Sequence, residues 1–176
     1  MRKSSQQIKQ ITVSAMLSAL GVIIMAVGAF VEVLDLSTAV LASMLCIFAV
    51  IEIKGSYPWL IWFSTSVLAL ILLPIKTPAV FYALFFGFYP ILKEKLERLP
   101  QILSWILKLV IFHACLALIW GVFKLFLPVA LEEMGGGWML ASLYALALVC
   151  FVLYDVALTR LITFYIFRLR GRFRMK

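Results

Sequence analysis

Polar chemistry is what this chain has least of. Its 176 residues include eight acidic side chains, one histidine and three cysteines, and only 14% of the residues are charged. Each shortage removes a class of function. Cys46, Cys115 and Cys150 share no metal-ligand spacing and lie inside apolar runs, so they read as small buried hydrophobes, not as a disulfide framework or a zinc site. The single histidine, His113, has no carboxylate three or four residues on and reads as a hydrogen-bonded packing residue. The sequence has no phosphate-binding glycine loop, no paired aspartates for head-group transfer and no Gly-x-Ser pattern to set against His113. Glu132-Glu133 also lacks the arginine that a membrane glutamate protease would need beside it. The expectation is a protein that is not an enzyme, with no catalytic residue, cofactor or metal.

What is present is apolar. Hydrophobic residues make up 65% of the chain and the mean hydropathy is +1.12, outside the range of soluble domains. The fold class expected is all-α: a polytopic integral membrane protein of one domain, residues 1–176. A net charge of +8 raises nucleic acid as a partner, but the charges sit in short segments between apolar runs. They are better read as topology signals and anionic-lipid contacts.

About 20 apolar residues are needed for a helix to cross a bilayer. Six runs qualify or come close: Ile11–Val31, Leu36–Ile53, Tyr57–Leu73, Pro78–Leu92, Ile102–Leu127 and Trp138–Phe167. Arg2, Lys3 and Lys9 before the first run, with Val27-Gly28-Ala29 near its end, imitate a cleaved secretory signal. The further runs make it an uncleaved first span. Basic residues alternate with acidic ones along the connections. Arg2, Lys3, Lys9, Lys54, Lys93, Lys95, Arg98, Arg168, Arg170, Arg172, Arg174 and Lys176 fall on one side, and Glu32, Asp35, Lys76, Glu132 and Glu133 on the other. Six spans with both termini cytoplasmic therefore put 12 of the 16 basic residues inside and satisfy the positive-inside rule at every loop. Tyr57, Trp59, Trp62 and Trp105 then fit an inner aromatic belt, and Trp120 and Trp138 an outer one.

The fourth run is short. Its length of about 15 residues gives roughly 22 Å of helix, and it begins at Pro78 and contains Gly87 and Pro90. It reads equally well as an ordinary kinked helix or as a broken one beside a binding site.

Two sets of residues could carry function within the spans. Glu52, Lys108, Asp155 and Arg160 fall in the cytoplasmic half. An inner-leaflet ion-pair layer joining spans two, five and six is the better reading of them, over a proton or ion relay. Toward the outer face lie Glu32, Asp35, Lys76, Tyr82, Trp120, Lys124, Trp138 and Tyr144, the aromatic walls and placed charges that a small-molecule site uses. Lys124 stands out among Phe123, Leu125 and Phe126. Gly135-Gly136-Gly137 permits a tight turn between the last two spans. The acidic outer loops lean toward a cationic or zwitterionic solute.

The first span is the most patterned. Ala15, Ala19, Val22, Ala26 and Ala29 recur at spacings of four and three, while Ser14, Ser18, Gly21 and Gly28 line the neighbouring face. Lipid tails give no reason to select small side chains, whereas a closely packed protein partner does. Together with the length and the span count, Ala15-Met-Leu-Ser-Ala19 resembles the Ala-x-x-x-Ala docking signal of a known family. That family is the substrate-binding S components of energy-coupling factor transporters, which import vitamins and micronutrients into bacteria.

The resemblance implies a location in the bacterial cell membrane and a shared transmembrane coupling subunit, docked by Ala15 and Ala19 and driven by a pair of cytoplasmic ATPases. It also implies a small-molecule solute bound near the outer surface by spans four to six and the first external loop. Here that loop, Glu32 to Asp35, is shorter than the family's usual substrate lid. A reading from a different class stays open: a small membrane scaffold with no transported ligand, whose basic tail Arg168–Lys176 binds anionic lipid or a cytoplasmic partner.

Overall fold

The computed structural model describes residues 2–31, 34–53, 55–126 and 137–169. Every element among them is helical. In chain order they are α1 (Arg2–Ala29), α2 (Asp35–Glu52), α3 (Tyr57–Leu72), α4 (Thr77–Phe81), a π-helical turn (Tyr82–Phe86), α5 (Tyr89–Leu96), α6 (Gln101–Phe126), α7 (Gly137–Phe164) and a second π-helical turn (Tyr165–Leu169). Four stretches are long and apolar enough to cross a membrane: Gln6–Ala29, Asp35–Glu52, Gln101–Leu125 and Trp138–Phe167. α3, with 16 residues, extends only about 24 Å. The fourth expected span is not one helix but α4, the first π-turn and α5 in succession.

Proline sets several of these boundaries. Pro58, Pro78 and Pro90 stand in the first turns of α3, α4 and α5, where the missing N–H has no helical partner to lose. α3 stops because Leu73 precedes Pro74 and is driven to extended backbone, ψ 136°. The carbonyls stranded there are taken by Lys76, whose ammonium donates to Leu73 O at 2.5 Å and Ile71 O at 3.4 Å. Between α2 and α3 the chain turns at Gly55, whose φ of +69° lies in the left-handed region that favours glycine.

By internal packing the chain divides into two compact units, Met1–Cys115 and Leu116–Lys176, with the division inside α6. In the first, α1 packs along α2 and α3, and α2 also meets α4, the π-turn and α5. The inner face of α1 is its serine and glycine face: Ser14, Ser18, Gly21, Val22, Met25, Gly28 and Ala29 are buried. Ser18 Oγ lies 2.8 Å from Ser64 Oγ of α3. A Cβ on Gly21 would come within 3.1 Å of Thr65 Cγ2, and one on Gly28 would overlap the Thr38 hydroxyl of α2. The approach is close enough that the buried Ser14 Oγ and Thr65 Oγ1 have no hydrogen-bond partner. Ala15 and Ala19, one helical step round from Ser14 and Ser18, are exposed, and Ala26 is half-buried. Two core clusters extend from this seam: Ala49, Ile53 and Ile61, and Cys46, Val50 and Ile91 with Trp59 and Trp62 against them.

In the second unit, α7 buries one stripe, Phe151, Tyr154, Asp155 and Leu158, at spacings of three, one and three. Its first turns are exposed from Trp138 to Leu146.

The glycines separate by context. Gly28→Ala should lower thermal stability in detergent by about 1–3 kcal/mol, because the new methyl overpacks against Thr38. Gly121→Ala meets nothing within 4 Å and should be neutral or raise stability by up to about 1 kcal/mol. Thermal melts of the two variants beside the parent protein check both.

Candidate functional site

The least regular part of the first unit is its most built. In the π-turn, Gly87 N–H donates to Tyr82 O, five residues back, at 2.7 Å. An α-helix would have used Ala83 O, four residues back, and that carbonyl instead accepts the indole N–H of Trp62 at 3.1 Å. Glycine at 87 leaves the space this needs, since a Cβ there would collide with Trp62 and stand 2.8 Å from both Tyr82 Cε1 and Tyr82 O. The indole is held by edge-on rings, Trp59 at 5.6 Å and Phe88 at 6.1 Å between centroids. Below the turn, Phe85 stacks on Tyr89 at 5.2 Å and meets Phe112 of α6 edge-on at 6.2 Å. Tyr82 and Tyr89 are among the most deeply buried large side chains described.

One turn further on, α5 buries a charge. Lys93 is completely buried and pairs with Glu97 at 2.8 Å, and Lys108 of α6, with its side chain 6% exposed, approaches the same Glu97 oxygen at 3.7 Å. Glu97 keeps 38% of its side chain exposed. Lys108 also lies 5.3 Å from the Trp105 ring centre, and Lys95 lies 5.8 Å from that of Trp59. A buried ammonium is tolerated only when charge and hydrogen bonds compensate it, so this cluster ties α5 to α6.

The residues picked out by sequence fare differently. Lys108 is buried and ion-paired, Glu52 is half-buried in the last turn of α2, Asp155 is buried in α7, and Arg160 is exposed. Asp155 and Arg160 belong to the second unit. Of the outer set, Asp35 is buried at the start of α2 and Tyr82 is buried in the π-turn, while Lys76 caps α3. Trp120, Lys124, Trp138 and Tyr144 are exposed in the second unit, Trp138 at 92%. Glu32, Lys54, Glu132, Glu133, Gly135, Gly136 and tail residues 170–176 lie outside the described residues. His113 is an exposed side chain whose Nδ1 lies 2.7 Å from Leu109 O. A carbonyl only accepts, so Nδ1 carries the proton. Among the described residues no group of three or more His, Cys, Asp or Glu side chains could hold a metal ion.

Three residues of this site carry little local signal. Lys93 reads as one more cytoplasmic loop charge, and its only local mark is Glu97 four residues on. Trp62 reads as an interfacial anchor, and Gly87 only as a helix breaker. The chain matches no protein-family model, no curated protein and no solved structure.

Glu94 in α5 and Glu97 at its C-cap should differ in weight. Glu97→Gln leaves Lys93 buried beside a neutral amide and should cost about 1–3 kcal/mol. Glu94 pairs with the largely exposed Arg98 at 2.7 Å, and Glu94→Gln should cost under about 1 kcal/mol. Thermal or chemical unfolding of the two single variants in one detergent measures the gap.

Proposed function

We propose that this chain is the membrane-embedded, non-enzymatic substrate-binding subunit of a bacterial micronutrient importer. It spans the membrane six times with both termini in the cytoplasm, and it works with a separate transmembrane coupling subunit and its ATPases. One observation carries the reading. The close internal packing of α1 uses Ser14, Ser18, Gly21 and Gly28, yet Ala15 and Ala19 are just as small and are exposed. Small residues facing lipid do nothing for an isolated helix, whereas they let another helix approach closely. Four apolar helices of crossing length, and outward leucine, isoleucine and valine side chains along α1, α6 and α7, support the membrane setting. The exposed Trp120, Lys124, Trp138 and Tyr144 would meet the solute near the outer surface.

Two measurements test the reading. Ala15→Trp and Ala19→Trp should abolish most co-purification with the coupling subunit, while Leu20→Trp, at an exposed position already occupied by a large side chain, should leave it intact. Unchanged co-purification in both alanine variants overturns docking. Protein purified in mild detergent should also release a small solute detectable by mass spectrometry, and that solute should diminish in Trp120→Ala and Lys124→Ala. Absence of any solute, together with intact co-purification, turns the reading toward a membrane scaffold.

A further inference from the structure

The π-turn is held by an exchange of partners that a single side chain controls. Ala83 O is the acceptor that Gly87 N–H would take in an unbroken α-helix, and Trp62 Nε1 occupies it at 3.1 Å while Gly87 N–H is diverted to Tyr82 O at 2.7 Å. Gly87 itself has φ −75° and ψ −43°, already helical, so moving its N–H from one carbonyl to the next demands no unusual torsion. The two arrangements differ in whether Trp62 or Gly87 bonds Ala83, and in the second Tyr82 O exchanges the Gly87 N–H for the donor four residues on, Phe86 N–H, as in any α-helix.

We propose that residues 77–96 form a two-state element for which Trp62 is the clamp. With the indole on Ala83 O, the π-turn stands, Lys93 is buried and Glu97 meets Lys108. When the indole lets go, Gly87 N–H takes Ala83 O and the turn tightens to α-helix. α5 then rotates by on the order of 100°, one residue's step of an α-helix. Glu97 directly follows α5 and is tied to it by its N–H on Lys93 O at 2.9 Å, so it moves with Lys93, whereas Lys108 stays on α6 and its 3.7 Å contact with Glu97 breaks. Lys93 then leaves its fully buried position. Packed interiors switch between discrete arrangements because they do not deform continuously, and one acceptor with two alternative donors, Trp62 Nε1 and Gly87 N–H, supplies such a pair. The device does not depend on what the protein transports or docks.

Amine acylation of the full chain in lipid nanodiscs, read by peptide mass spectrometry, tests it. The probe is a water-soluble acetylating ester. In the parent protein Lys93 should be protected and Lys95, which is exposed, should react. Trp62→Phe retains an aromatic ring and deletes the N–H, and it should speed Lys93 acylation about fivefold, the effect of losing one hydrogen bond, with Lys95 unchanged. Deleting Leu84 removes the extra residue of the turn and should expose Lys93 even with Trp62 in place. Backbone hydrogen exchange along α1 reports whether each variant keeps the fold. Lys93 remaining as protected as in the parent, in a Trp62→Phe protein with parental α1 exchange, overturns the proposal. If Trp62→Phe loosens α1 as well, the Leu84 deletion decides, and a protected Lys93 there overturns it equally.

Discussion

A carbonyl freed where a helix breaks needs another donor, and away from water only the protein can supply it. In this chain the donor is Trp62, and much of the first unit is arranged around that one bond. Gly87 leaves room for the indole, Trp59 and Phe88 hold it edge-on, and the cluster of Cys46, Val50 and Ile91 backs it. The direction in which α5 leaves the turn follows from the π-geometry. That direction places Lys93 wholly inside, where only a paired ammonium is tolerable. The ion pair on Glu97 is thus downstream of a backbone irregularity.

α1 solves a different problem with the same economy of polar atoms. Its serine and glycine face lets α2 and α3 approach so closely that two hydroxyls go without partners, a cost of about 1–3 kcal/mol each. Dense packing along Gly21 and Gly28 offsets it. Those two glycines also fix the register: sliding α1 by one turn would bring Leu17 to Thr65 and Ile24 to Thr38, where not even a methyl fits freely. The closely packed inner face thereby sets the angle at which the exposed Ala15 and Ala19 stand to α2 and α3.

The boundaries of α2, α3, α6 and α7 were legible to within a few residues because proline and apolar run length are local signals, whereas α1 starts at Arg2, nine residues before its apolar run, because a polar helical turn carries no hydropathy mark. Pro58, Pro74, Pro78 and Pro90 mark starts and stops that the backbone obeys regardless of neighbours. The break in the fourth segment was half legible: Gly87 and Pro90 announced an interruption but not its form. Lys93 was not legible at all. By sequence it resembles Lys95, two residues away, yet one is buried and the other exposed. On a helix two residues point to nearly opposite faces, and which face is inside depends on rotation set ten residues earlier. Trp62 was hidden for a related reason, since its acceptor lies 21 residues away on another helix.

The sequence by itself determined that the described residues are helical, where most of the longer helices begin and end, and that their surfaces are apolar enough for a membrane. Those properties follow from composition and from steric rules acting within a few residues. Only the tertiary structure decided which small residues of α1 face inward, which lysine is buried, and which donor satisfies Ala83. Each of those turns on how one helix is rotated against another, and rotation is settled by contacts between residues far apart in the chain.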